Sequence, residues 1–159
     1  MLDWFTSTTL GKMIATFFIS MLPIVELRAG LPYGIALGLD YWTALGCAVL
    51  GNLLPAPFII LFIRQIFAWL RKKNAKLDRW ITKQEHKASL KSEVVNQYGP
   101  IGLCLLVAIP LPGTGAWTGA LVAALMDMRL HRALPSIILG VLIAAGIMTA
   151  VTYGVIHIV

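Results

Sequence analysis

A glutamate and an arginine lie between two apolar runs near the start of the chain, in the stretch LPIVELRAGLPYG at residues 22–34. Charged side chains at membrane depth are costly, and they tend to serve function. Glu26 could therefore bind a cation or carry a proton, and Arg28 could hold a phosphate or carboxylate with two parallel hydrogen bonds. Alternatively, the pair ties the turn together, or Arg28 extends to the membrane interface.

Helix-breaking residues surround this pair and recur in a second stretch. Gly30 and Pro32 follow the charges, and AIPLPGTGAWTG at residues 108–119 again combines prolines with glycines. Unpaired backbone groups in hydrocarbon cost several kcal/mol each, so both breaks are expected inside the protein or beside a wet cavity. The second break supplies further candidates for substrate or ion binding, namely Pro110, Pro112, Gly113, Thr114, Gly115 and Trp117.

The composition is that of an integral membrane protein. Of the 159 residues, 58% are hydrophobic and only 13% are charged, which is about half the share in soluble proteins. The sequence contains no nucleophile elbow, P-loop or H-E-x-x-H motif, so we expect neither an enzyme nor a bound cofactor. Two cysteines in apolar segments and three scattered histidines do not suggest a metal site.

Positive charge is concentrated in residues 71–98, which hold eight Lys or Arg against three acids. The positive-inside rule places this segment in the cytoplasm. Its apolar residues recur at helical spacing, so we expect an interfacial segment that binds anionic lipid headgroups. The flanks are membrane segments, which argues against nucleic-acid binding.

The lengths of the apolar segments predict which of them cross the membrane. A spanning helix needs about 20 apolar residues. Met13–Val25 and Ala29–Leu39 are shorter than this, and Pro32 should prevent one continuous helix. Two short helices that meet at a break predict a re-entrant hairpin, and Pro100–Met126 follows the same pattern. Trp42–Leu70 and Ala133–Val159 are long enough to cross.

The two halves share one order of elements: short helix, Pro/Gly break, short helix, acid, full span. The sequence therefore predicts an all-α integral membrane protein forming one membrane domain over residues 1–159. It would contain two inverted repeats, each a re-entrant helical hairpin followed by a full transmembrane helix. The first repeat covers residues 12–70, the basic cytoplasmic loop 71–98 and the second repeat 99–159. A plain bundle of four or five crossing helices is the alternative.

Four further polar residues are secondary candidates. Asp40 and Asp127 follow the two hairpins, and they could instead cap the helices that come next. Arg129 lies at the exit of the second hairpin and agrees with a cytoplasmic position there. Asn52 lies inside the first long span near Pro55, where an interhelical hydrogen bond is the alternative role.

Two segments resemble a known family. PIVELRAGLPYGIALG and IPLPGTGAWTGALVAALM are similar to the two signatures of the bacterial small multidrug export protein family. That family resembles, more distantly, the DedA (VTT-domain) membrane proteins. The resemblance implies paired re-entrant hairpins, residence in the bacterial inner membrane and, in some DedA members, transport of undecaprenyl phosphate.

Two functions follow as expectations. The first is a multi-pass secondary transporter or lipid-headgroup flippase, with a site between the breaks and proton or ion coupling through Glu26. Its substrate would be a small cation or a lipid phosphate. The second is a non-transporting scaffold or anionic-lipid-binding protein. A homodimer or higher homo-oligomer is also expected, because two hairpins and two spans are too few helices to shield both breaks from lipid. The last span offers small residues suited to close packing, namely Gly140, Ala144, Ala145 and Gly146.

Overall fold

The structure is a computed structural model that describes residues 6–23, 25–72, 75–109 and 114–158. All regular elements in these ranges are α-helices, which confirms the all-α class. Two stretches are long and apolar enough to cross a membrane, Tyr41–Arg71 and Leu130–Thr152. The helices are α1 (Thr9–Ser20), α2 (Glu26–Ala36), α3 (Tyr41–Leu53), α4 (Pro55–Arg71), α5 (Ala75–Tyr98), α6 (Pro100–Ala108), α7 (Ala116–Leu125) and α8 (Leu130–Ile158).

Helices α1 and α2 form an antiparallel pair held together by small residues. A methyl group added at Gly30 would lie 2.9 Å from Ser20 Cβ, and one at Gly34 would lie 2.9 Å from Thr16 Oγ1. Four residues further on, a methyl at Gly38 would lie 3.5 Å from the ammonium nitrogen of Lys12. These three contacts place the beginning of α1 beside the end of α2. The break between the two helices therefore lies at the opposite end of the pair.

Pro32 was predicted to interrupt a helix, but it does not. It lies exposed inside α2, and the first break instead occupies the residues between Ser20 and Glu26. A proline removes one helical hydrogen bond, here to the carbonyl of Arg28, and its ring must fit beside that carbonyl. Since Arg28 is in the first turn of α2, the helix retains its other hydrogen bonds.

The first long span is interrupted near its middle. Asp40 caps α3, because the backbone N–H of Thr43 donates to the Asp40 carboxylate at 3.0 Å. Helix α3 ends at Leu53 and α4 begins at Pro55, which has no N–H to continue the hydrogen-bond ladder.

Two side-chain contacts show that the long helices run antiparallel. The hydroxyl of Tyr41, at the start of α3, hydrogen-bonds that of Thr149, late in α8. Arg64, late in α4, forms an ion pair with Asp127, just before α8 begins. The exit of α7 therefore lies on the same side of the molecule as the end of α4.

The basic segment is a 24-residue helix that packs on the protein. Ile81, Ala88 and Val95 are buried at a spacing of seven residues, and Gly102 lets the backbone of α6 approach Val94. This apolar stripe belongs to a helix that packs against α6 and α7, and the interfacial position of the segment stays a prediction. The three side chains form one stripe because a regular helix aligns them on one face.

The small residues of α8 are mostly used within the chain. A methyl at Gly140 would lie 2.8 Å from the carbonyl oxygen of Cys104 in α6. Ala144 and Ala145 are buried in a cluster with residues of α2 and α3, whereas Gly146 faces open space. The face predicted to join a second subunit is therefore largely occupied by the chain itself, and the homo-oligomer stays a prediction.

Candidate functional site

The two breaks meet through Glu26. This residue is only 6% exposed, and its carboxylate accepts a hydrogen bond from the backbone N–H of Trp117 in the first turn of α7. A methyl group at Gly115 would overlap one carboxylate oxygen and lie 2.6 Å from the carboxyl carbon. An anion at a helix N-terminus is favoured by the free N–H groups there. Glu26, which directly follows the first break, therefore places its carboxylate at the N-terminus of α7, which directly follows the second break.

The backbone at the junction is unusual on both sides. Glu26 has a φ of +49°, which is uncommon for a residue with a side chain, and Gly115 has a φ of +135°. Backbone strain of this kind persists only where the surroundings impose it, and it clusters at functional sites. The carboxylate can approach Gly115 closely because this residue has no Cβ.

Arg28 joins the first break to both ends of the second. Its Nη2 atom donates to the carbonyl oxygen of Thr114 at 2.9 Å, to the hydroxyl oxygen of Thr114 at 2.8 Å and to the carbonyl oxygen of Ile109 at 3.3 Å. The Thr114 hydroxyl in turn donates to the Ile109 carbonyl at 2.7 Å. Arg28 therefore binds backbone carbonyl groups at both ends of the second break.

Trp117 makes a connection in the opposite direction. Its indole Nε1–H donates to the carbonyl oxygen of Met21, at the end of α1, at 2.9 Å. Each break therefore extends a side chain to the backbone of the other. Such reciprocal bonds hold the two breaks in one arrangement, and they would have to change if the hairpins moved apart.

The structure does not bring all predicted candidates to this junction. Gly30 packs on α1, and Pro32 is exposed on α2. Pro110, Pro112 and Gly113 lie outside the described residues.

The secondary candidates Asp40, Asp127 and Arg129 follow the ends of α2 and α7, roughly 15 Å along each helix from the junction. Hydrogen bonds from the hydroxyl and the backbone N–H of Thr43 lower the pKa of Asp40. Asp127 pairs with Arg64, and α8 begins only at Leu130. These residues therefore belong to the helix ends and not to the junction.

Beside the junction lies a cavity of about 390 Å³. This volume is within the range of small-molecule sites, and the lining is mostly apolar with a few polar groups, as is usual for such sites. The first break, α4, α5 and α7 all contribute to it. The lining residues are Pro23, Ile59, Ile63, Phe67, Trp80, Gln84, Trp117, Thr118 and Leu121.

Helix α5 contributes residues that the sequence reasoning missed. Gln84 lines the cavity, and Lys91 is near enough to the junction for its pKa to respond to Arg28 and Glu26. Burial lowers the pKa of Lys91, repulsion from Lys87 and Arg28 lowers it further, and attraction to Glu26 raises it. The sequence contains a pattern that could have identified them, because Trp80, Gln84, Lys87 and Lys91 recur at the spacing of one helix face.

Among the residues that the structure describes, no three His, Cys, Asp or Glu side chains come together as a metal site would require. The junction instead combines a buried carboxylate, a guanidinium, backbone carbonyls and a neighbouring apolar cavity. This combination can bind a polar or charged group next to an apolar one.

A family model described as "Putative small multi-drug export protein" matches residues 26–147 of the chain. The match begins at Glu26 and includes the second break, α7 and most of α8. No curated protein and no solved structure was found to match the chain.

Proposed function

Because the chain belongs to the small multi-drug export protein family, we propose that it is a secondary transporter of the bacterial inner membrane. Its substrate site is the junction of the two breaks together with the adjoining cavity. The substrate is a small cation or a lipid phosphate, and transport is coupled to protons or ions through Glu26. The single observation that carries this proposal is the meeting of the breaks through Glu26, Arg28 and Trp117.

The lengths of the helices support hairpins that enter from opposite sides. Helix α1 has 12 residues and α6 has nine, which correspond to about 18 Å and 14 Å. Placed end to end, they match the ~30 Å thickness of the hydrocarbon core. The tips would then meet near mid-membrane, where discontinuous helices of transporters hold their substrates.

The packing supports an inverted repeat. Ala56 and Ile59 in α4 pack in one cluster with Ala116 of α7, while Ala144 in α8 packs in the other with Leu27 of α2. Each long helix therefore contacts the second short helix of the other half. Reciprocal packing of this kind suits two halves that rock against each other to expose one site alternately.

In this proposal, proton exchange at Glu26 triggers the rocking of the two halves. A protonated Glu26 would be a weaker acceptor for the N–H of Trp117, since hydrogen bonds to a charged carboxylate are about twice as strong as neutral ones. Substrate bound in the cavity would contact Trp117, which lines it. Both events therefore act on the helix that carries the second break.

The proposed topology predicts the sides from which introduced cysteines are labelled. In a variant lacking Cys47 and Cys104, cysteines at Lys83 and Leu130 should react with an impermeant maleimide only from the cytoplasm, because Arg64 and Asp127 join these regions. A cysteine at Ser7 should react from outside. Labelling of Lys83 and Leu130 from opposite sides would show that residues 100–126 cross the membrane.

Transport is tested in proteoliposomes with an imposed pH gradient, using ethidium as the cation and a fluorescent short-chain lipid phosphate as the anion. We expect gradient-dependent flux of one of them and its loss, by tenfold or more, in Glu26→Gln. The matched control is Glu93→Gln, which changes an exposed glutamate of α5 in the same way. Equal flux in Glu26→Gln and Glu93→Gln would reject the assignment of Glu26.

Helix α5 favours a second candidate function, binding of anionic lipid without transport. Its exposed face carries Lys76, Arg79, Lys83 and Lys87, and basic residues near a membrane each contribute about 1 kcal/mol of attraction to anionic lipid. Saturable binding to phosphatidylserine nanodiscs, together with no flux of either probe in the wild type, would favour this function.

A further inference from the structure

Three ion pairs connect the helices that enclose the cavity, and each has an arginine of α4 as its cation. Arg64 pairs with Asp127, which lies just after α7. Arg71 pairs with Glu85 of α5, and its Nε atom lies 3.7 Å from the carboxylate oxygen Oδ1 of Asp78 in the same helix. Helices α4, α5 and α7 all line the cavity. Each ion pair therefore joins two walls of one cavity.

The two arginines flank a buried aromatic residue of the cavity lining. Phe67 lines the cavity, is 6% exposed, and follows Arg64 by three residues and precedes Arg71 by four. Residues at these spacings are neighbours on one face of a helix. Along α4 the lining runs from Ile59 to Phe67, so Arg71 lies one turn beyond the cavity. This end of the cavity is therefore bounded by an aromatic ring with an ion-paired arginine on either side of it along the helix.

Helix α5 folds back along α4 at this end. Its residues Trp80 and Gln84 line the cavity, and the next residue, Glu85, pairs with Arg71. Asp78 and Glu85 are two helical turns apart, so contact with both fixes the direction of α5 relative to α4. Trp80 is about half exposed, which places it at the rim of the cavity. The position of α5 therefore decides how far this rim is open.

The carboxylate that α7 contributes is held on strained backbone. Asp127 has a φ of +53°, and the N–H of Met128 donates to the carbonyl oxygen of Ala123 at 2.9 Å. The end of α2 has the same kind of turn with Gly38 at a φ of +82°, and glycine is the usual residue there. Strain of this kind clusters at functional sites and switch regions. Of the secondary candidates, Asp127 therefore belongs to these ion pairs, whereas Asn52 is buried in α3 apart from them.

We propose that the ion pairs of Arg64 and Arg71 form a gate, which holds α5 and the end of α7 against α4 and closes the cavity on that side. The paired side chains are 31–73% exposed, so each pair is weak and is screened by salt. Weak contacts suit a gate that opens and closes in each transport cycle. The inference rests on the proposed function, whose topology places this end of the cavity in the cytoplasm.

Opening of the gate is measured by the rate at which a cysteine in the cavity reacts with N-ethylmaleimide, which is uncharged. The reporter is Thr118→Cys in the purified full-length protein lacking Cys47 and Cys104, and the exposed Ser89→Cys corrects for the intrinsic reaction rate. We expect the ratio of the two rates to rise about threefold as the Debye length falls from about 30 Å at 0.01 M salt to about 3 Å at 1 M. Equal ratios at both salt concentrations would overturn the gate.

A double variant, Asp127→Gly with Arg71→Met, should open the gate at low salt. Glycine suits the backbone at position 127, and methionine keeps the apolar stem of Arg71. Labelling of Thr118→Cys should become about fivefold faster and lose its response to salt, because each exposed pair usually favours the closed form by a factor of about 1.5–5. The matched control, Glu93→Gln with Arg79→Met, removes one exposed acid and one exposed arginine of α5 and should label as the wild type does.

Equal labelling of the two double variants would reject the gate, and the salt series decides if the first of them fails to fold. The assay needs no transport, so the gate and the proposed function fail separately. Faster labelling of the variant with no flux in the wild type would keep the gate and reject the transporter. Flux in the wild type with unchanged labelling would do the reverse.

Discussion

Replacing Gly115 by alanine should destabilise the protein by at least about 2 kcal/mol and displace Glu26 from its position against α7. The backbone at Gly115 has a φ of +135°, and side-chain-bearing residues in such conformations are strained by about 1–3 kcal/mol. The new methyl group would also overlap the Glu26 carboxylate. The measurement is unfolding in mixed SDS and detergent micelles, followed by tryptophan fluorescence.

The matched control is Gly146→Ala in α8. A methyl group there meets nothing within 4 Å, and alanine in a helix interior is more stable than glycine by roughly 0.5–1 kcal/mol. The two changes should therefore have opposite signs. A double mutant isolates the contact, because Gly115→Ala should cost less when Glu26 is already glycine. The same cost in both backgrounds would mean that the carboxylate does not contact Gly115.

Replacing Arg28 by methionine should be the other severe change, with a loss of about 3 kcal/mol. The guanidinium donates to two backbone carbonyls and one hydroxyl of the second break, and hydrogen bonds from charged groups contribute about 1.5–3 kcal/mol each, not additively. Methionine preserves the apolar stem and removes every donor. Unfolding in the same micelles measures the loss.

Two comparisons make the Arg28 result specific. Arg79→Met changes an exposed arginine of α5, and exposed substitutions usually alter stability by no more than about 0.5 kcal/mol. Arg28→Lys keeps the charge without the planar fork, so it should recover less than half of the loss. Equal stability of Arg28→Met and Arg79→Met would show that this arginine does not hold the breaks together.

Much of the local structure could be read from the sequence. The apolar lengths predicted two long spans and four short helices, and the second Pro/Gly stretch predicted the break between α6 and α7. Glu26 and Arg28 were identified as candidates because charged side chains in an apolar segment are costly and tend to serve function. These predictions succeed because periodicity, helix breaking and desolvation cost depend on residues close together in the chain.

Other features depended on tertiary contacts. Pro32 was expected to break a helix, yet it is accommodated inside α2, because α2 begins at Glu26 and the hydrogen bond that the proline removes is to a carbonyl of the first turn. In the basic segment, Ile81, Ala88 and Val95 are buried in a helix that packs against α6 and α7. Its apolar spacing is the same whether the partner is lipid or protein, so the pattern alone could not decide between them.

The sequence by itself determined that this is a helical membrane protein with two interrupted segments and a charged pair in the first. Only the tertiary structure decided that the interruptions meet, with Arg28 binding Thr114 and Trp117 binding Met21. These partners are 86 and 96 residues apart. Such pairings are set by which helix faces can approach closely, through small residues such as Gly51 against Phe17 and Gly140 against Cys104. Local patterns show that a helix has a face for packing, but they do not show which helix will occupy it.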